Sequence, residues 1–291
     1  MVHVISNGIL EVVVSESGAE LQSIRYQNKE YLWQGDPVFW GRRAPILFPI
    51  VGSLKDKKTY INGKKYFMNQ HGFLRDQMFS VCKKSKSSIT LVARSNHDTL
   101  QAYPFSYEIY IKHAIRTNTV KTSVFVKNTS QTIMPFNIGG HPGFNCPLNE
   151  QEKFSDYRIV FEKPESFFSP TVTKEATLDF ETPFMRFQKL RVLELNYKLF
   201  DIDAIIIQKA VSRRVDLVNK QNKGISFSFP DYTSFAIWSP PKVEAPFVCL
   251  EPWNGYADKS NSDYDFLKKD GLIELAPQQS KSFAYSIKIL D

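Results

Sequence analysis

A ten-residue run, YEIYIKHAIR from Tyr107 to Arg116, alternates with a period of two. Tyr107, Ile109, Ile111, His113 and Ile115 face one way, while Glu108, Tyr110, Lys112 and Arg116 face the other. That is the pattern of a half-buried strand rather than of a helix. The run NTVKTSVFVKNTS follows across a Thr-Asn turn and completes a hairpin. Further strands are expected at ILEVVVS, AELQSIRY, YRIVFEK, DAIIIQK, RVDLVN, GISFSF, SFAIWS, FVCLEP and KSFAYSIKIL. The 23 Phe and 13 Tyr residues favour strands in the same way.

Helical pattern is scarce. The best candidate is SDYDFLKKDG, with a polar cap near Ser262 and Gly271 as its stop. Many short strands with few short helices predict an all-β fold, a large antiparallel β-sandwich. No repeat, low-complexity tract or Gly/Ser/Pro-rich linker interrupts residues 1–291, so a single domain is expected. The less regular stretch from Glu165 to Asn196 is expected to run as a long excursion over one face.

Composition excludes several classes. A chain of 291 residues, 42% hydrophobic and 23% charged, can bury a core without disulfides or metals. The net charge is +7, but the lysines are scattered through KDKKTY, GKKY and CKKSKSS, which read as strand ends and turns. No tract interleaves basic and aromatic residues as a nucleic-acid module does, so no nucleic-acid partner is expected. Cys82, Cys146 and Cys249 are odd in number and form no CxxC, which argues against a disulfide scaffold or a zinc ribbon. The N-terminal segment lacks the pattern of a signal peptide, and no apolar run is long enough to cross a bilayer. A reduced, cytoplasmic protein without a membrane partner is expected.

Candidate chemistry gathers at strand ends. In MPFNIGGHPGFNCPL, His141 is enclosed by Gly139, Gly140, Pro142 and Gly143, which fix the backbone and keep bulk from the ring. His71 lies in FMNQHGFLRD, beside Gly72 and close to Arg75 and Asp76. His113 shares a face with Ile111 and Ile115 and reads as a sheet-face histidine; His3 reads as inert and His97 as a loop residue. Glu251 follows the apolar run Phe247–Leu250 and precedes Pro252 and Trp253, so partial desolvation would raise its basicity. A strand-end glutamate paired with a lysine is the other reading. Trp253 suits either a sugar platform or the core. In WGRRAPILFPIVGS one of Arg42 and Arg43 points inward, unless both are solvated. Asp203, before the apolar AIII run, could bond a ligand hydroxyl or cap the strand.

In order, PILFPIVG, NQHGFLRD, FNIGGHPGFNCPL, IWSPP and FVCLEPWNGYAD resemble the aldose 1-epimerase (galactose mutarotase) family, and most of all its LacX-like bacterial branch. The resemblance spans about Trp40 to Asp258. It implies a galactose mutarotase-like supersandwich with a sugar cleft on one sheet. It also implies a mutarotase that interconverts the α and β anomers of an aldohexose, with His141 as general acid and Glu251 as general base. His71, Asp203 and Arg42, with Arg43 as the alternative register, would bind substrate. Arg75 and Trp253 join them as candidate contacts. HGFLRD in place of HGG is similar to branches related to hexose-6-phosphate mutarotases, so the substrate is galactose or glucose, or their 6-phosphate. The resemblance implies a monomer or homodimer with no metal or cofactor. A bell-shaped rate profile is expected, rising as Glu251 ionises and falling as His141 loses its proton. Zinc at His71, His141 and Glu251 is the competing enzyme reading, but no HExxH-like spacing is present. A non-catalytic carbohydrate-binding module is the alternative from another class.

Overall fold

Tyr107–Arg116 and Thr119–Asn128 pair antiparallel from Tyr107 opposite Asn128 to Arg116 opposite Thr119, and the apolar face of the first strand is buried throughout. The computed structural model describes the whole chain, Met1–Asp291. This hairpin lies within a nine-stranded antiparallel sheet. The sheet runs in the order 185–194, 157–169, 214–219, 224–228, 280–290, 119–128, 107–116, 88–94 and 80–84. A second sheet runs in the order 205–207, 234–238, 247–254, 138–140 and 46–47, with 143–145 also paired to 247–254. The fold is a large antiparallel β-sandwich, as the strand pattern predicts.

The second sheet positions the site, and its alternation explains how. Ile46, Ile138, Ile205, Ile207, Phe235, Ile237, Val248 and Leu250 enter a core cluster of 62 buried residues shared with the nine-stranded sheet. The intervening residues turn to the opposite face. There Leu47, Ile206, Ala236 and Trp253 belong to a cluster of only eight, and Phe247 and Cys249 to one of four. The outer face is therefore lined rather than filled. All eight residues of Phe247–Asn254 are buried, Glu251 and Asn254 among them, so the strand is covered on both faces although the two differ in use.

Two loops dock against this sheet. Phe48 makes a parallel bridge to Gly72, and the Phe73 N–H donates to the Phe48 carbonyl at 3.1 Å. This seats the FLRD turn, a short 3-10 helix over Leu74–Asp76, beside the cleft. His71 and Gly72 both take positive φ, +66° and +71°. Gly72 has no substitute here, since a Cβ would lie 2.2 Å from the Phe48 carbonyl oxygen.

Three sequence expectations change. SDYDFLKKDG forms only a 3-10 turn over Phe266–Lys268. Asp263 and Asp265 accept backbone N–H groups two residues on, which competes with a helix, and Lys269 is drawn inward to Asp258 at 2.9 Å. The α-helix lies instead at His97–Ala102, closed by a capping box between Asn96 and Thr99, so His97 is not a loop residue. Residues 165–196 are mostly regular. Strand 157–169 pairs with 185–194, and only the small hairpin Thr171–Asp179 crosses the outer face of the second sheet.

Gly72→Ala is expected to cost about 3 kcal/mol, because a positive φ and a backbone clash combine. Chemical denaturation measures it, and an unchanged midpoint would contradict the docking described.

Candidate active site

His141 and Glu251 are brought together by strand register. Gly139 is opposite Trp253 and Gly143 is opposite Cys249, on either side of a short break at His141–Pro142. The same register places residue 141 opposite 251, where side chains of an antiparallel pair share a face. The break is bridged by the His141 N–H donating to the Pro45 carbonyl at 3.0 Å and by the Leu250 N–H donating to Pro142 at 3.1 Å. His141 Nε2 and Glu251 Oε2 end 3.1 Å apart, without the alignment of a hydrogen bond; Oε2 has no partner. On the other flank of Glu251 lies Ala236, whose small side chain leaves the carboxylate room.

His71 reaches the same cleft from its loop, its ring 5.4 Å from that of His141 and nearly perpendicular to it. Its backbone N–H donates to the Gly52 carbonyl at 2.8 Å, and the Gly52 N–H donates to its Nδ1 at 3.1 Å. An accepting Nδ1 fixes the neutral tautomer with its proton on Nε2, which leaves one N–H donor.

Arg42 is the arginine of its pair on the cleft side. Its Nη2 bonds Asp76 at 2.7 Å, whereas Arg43 turns away to Gln22 and the Gln34 carbonyl. Arg42 does not line the cavity; Arg75 does. With Asp76 engaged by Arg42, Arg75 keeps only a 4.0 Å approach to that carboxylate. Its Nη2 donates to the Gln70 carbonyl, and its buried Nε has no partner. Asp203 also lines the cavity, with Oδ1 accepting the Ala204 N–H at 2.7 Å. Trp253 lies over Gly139, where a Cβ would stand 2.6 Å from the indole, and its buried Nε1 is unpartnered.

The cavity holds about 280 Å³ and is lined by Trp40, His71, Arg75, His141, Asp203, Glu251 and Trp253 among others. This is close to the lower end, ~300 Å³, of small-molecule sites, and fits one sugar ring better than a chain of them. Four of the seven unpartnered buried polar side-chain atoms, on Arg75, His141, Glu251 and Trp253, belong to its walls. Buried polar atoms without partners are costly, and their convergence marks a place where a polar ligand supplies the missing bonds.

Burial controls the electrostatics. Desolvation, reinforced by the Asp203 charge, pushes the Glu251 carboxyl well above the usual range. Desolvation lowers His141 to about 3, with Arg75 and Arg42 adding to the effect. His71 is lowered well below its ordinary value by burial and then by His141, Arg75 and Arg42. Asp203 is raised, also by burial. The buried His113 is a satisfied core histidine, bonded to Thr122 and to the Ala19 carbonyl.

Sequence reasoning misses Trp40 and Trp238. The Trp40 ring stacks on His141 at 4.7 Å, and Trp238 meets His141 edge-on at 5.6 Å. IWSPP contains Trp238, but a lone aromatic in a strand carries no sign of the face it takes. Cys249 is missed too: one donor atom each from His141, Cys249 and Glu251 lies within 4.8 Å of the others.

No helix is long and apolar enough to cross a membrane. The family profile described as aldose 1-epimerase matches residues 1–263. The plasmid-borne protein LacX of Lactococcus lactis subsp. lactis is 34% identical, with 99% of each chain covered. A galactose mutarotase related enzyme from Lactobacillus acidophilus superposes with a TM-score of 0.93 at 32% identity, covering 100% of this chain and 98% of that one. A galactose mutarotase-like protein from Lactobacillus casei gives 0.92 at 30% identity, covering all of both chains. The chain belongs to the aldose 1-epimerase family and is an isomerase of the mutarotase type.

Proposed function

We propose that the cleft interconverts the α and β anomers of an aldohexose by general acid–base ring opening, with Glu251 and His141 carrying the protons. The observation that carries this reading is the buried, unbonded approach of Glu251 Oε2 to His141 Nε2 in a cavity the size of one sugar ring. Glu251 takes the proton of the C1 hydroxyl while His141 gives one to the ring oxygen. The C1–O5 bond breaks, the carbonyl end turns, and closure on the other face reverses both transfers. The His71 Nε2–H and Asp203 hold hydroxyls, and Trp253 offers an apolar face to the ring. A non-catalytic binding module would have no use for an acid and a base in contact.

The pair needs one proton between its two members. The closed sugar uses the carboxylate with the imidazolium; ring opening leaves a protonated Glu251 and a neutral His141. Burial favours the second distribution, and so supports the open-chain stage. It also supports assigning the two limbs of the rate profile in the reverse of the order expected from sequence. A second proton is gained as the pH falls towards about 3, the His141 value. The last proton is lost at higher pH, through the raised pKa of Glu251. An exposed free thiol at Cys82 accords with a reducing, cytoplasmic setting.

One observation favours a 6-phosphate over the free sugar: the Arg75 guanidinium lines the cavity with Nε unpartnered, close enough to Arg42 for the two charges to be coupled. A phosphate would accept paired, charge-assisted bonds from such a group.

Glu251→Gln and His141→Asn should each lower anomer exchange by ~10²–10⁴-fold while leaving the fold intact. Exchange NMR over free and phosphorylated galactose and glucose measures this; near-normal turnover in either folded variant would remove its assigned role. In the wild type, kcat/KM should fall as the pH drops towards about 3, the His141 value, and fall again at higher pH as Glu251 gives up the last proton. A rate that rises with pH and shows no second limb would overturn the one-proton pair. Arg75→Ala should erase any preference for the phosphorylated sugar while sparing the neutral one. Equal losses on both would make Arg75 a brace for the His71 loop.

A further inference from the structure

Cys249 has no part in the acid–base chemistry and does not line the cavity. Yet it lies two residues before Glu251 on the same strand face, in register with Gly143 just past His141. The thiol, an imidazole nitrogen and a carboxylate oxygen therefore surround one point below the cleft, within 4.8 Å of one another. All three residues are buried, with Cys249 at 0%, Glu251 at 1% and His141 at 7% exposure, and Glu251 Oε2 and His141 Nδ1 lack partners.

We propose that His141, Cys249 and Glu251 form an inhibitory site for a borderline-soft divalent cation, zinc above all, whose occupation competes with the sugar. One sulfur, one nitrogen and one oxygen donor suit zinc, whereas magnesium and calcium require sets of oxygen ligands. Bonds of ~2.0–2.3 Å to zinc would bring the donors to roughly 3.5 Å from one another. The most separated pair therefore closes by at most about 1.3 Å, within reach of side-chain torsion. Zinc replaces the thiol proton and the one proton shared by Glu251 and His141; both pass to solvent, with no change of oxidation state. Three protein ligands leave a fourth position facing the cleft. The bound ion removes both proton-carrying groups at once, so inhibition is expected to appear as a raised KM for the aldose.

The proposal rests on the mutarotase reading only for its inhibitory consequence; metal binding can be tested without turnover. Cobalt(II) is titrated into the Cys82→Ser protein, which lacks the exposed thiol, in the absence of sugar. A thiolate-to-cobalt charge-transfer band is expected, displaced by zinc and abolished in Cys82→Ser/Cys249→Ser. The second variant should retain metal-free exchange activity, and its zinc inhibition constant should rise by about tenfold or more, since loss of supporting groups alone costs 10–100-fold in metal affinity. Should it fail to fold, Glu251→Gln in the Cys82→Ser background is expected to weaken cobalt binding by a similar factor. Cobalt bound without the band, or zinc inhibition unchanged by loss of Cys249, would overturn the site. If the band forms as expected in a protein that exchanges no anomers, the metal site stands and the mutarotase reading falls.

Discussion

The site depends on one cross-strand register. Gly139 against Trp253 and Gly143 against Cys249 fix where residue 141 falls along Phe247–Asn254. A slip of one residue would turn every side chain of the strand to its other face. Glu251 would then enter the hydrocarbon core and Leu250 the cleft. The register is held by the core residues Val248 and Leu250 on the inner face, and by Trp253 seated over Gly139 on the outer one. Packing that stabilises the sandwich thus also sets the 3.1 Å approach of His141 to Glu251.

Desolvation then decides the chemistry. The same closeness in water would give an ordinary ion pair, with the proton on the imidazole. Beneath Trp40, Trp238 and Trp253 the charged forms lose hydration, and the neutral pair gains on the ionic one. Two proton distributions that differ by one transfer are thereby brought closer in energy, which is what the proposed reversible ring opening requires. Beside them, burial and the positive charge of Arg42 and Arg75 keep His71 neutral, and its fixed tautomer makes it a donor rather than a competing base.

Much of this was legible in advance for a physical reason. Strand periodicity is local, so YEIYIKHAIR announces its own structure and that of its partner across a short turn. The site histidines also announced themselves, because a loop that bends at His71–Gly72 or breaks a ladder at His141–Pro142 needs residues that suit those conformations. SDYDFLKKDG misled because its helical spacing competes with aspartates that bond nearby N–H groups, and Asp258, just outside the segment, takes Lys269. Trp40, Trp238 and Cys249 were not legible, since an aromatic or a thiol in an apolar run looks the same on either face of a sheet.

The sequence by itself determined the all-β class, the faces of its regular strands and the residue types able to exchange protons. Only the tertiary structure decided that Arg42 rather than Arg43 turns toward the cleft, that Asp76 takes Arg42 and frees Arg75, and that a hairpin from residues 171–179 covers the outer face. These outcomes rest on hydrogen bonds and packing between segments apart in the chain, and none of them is set by the order of neighbours along it.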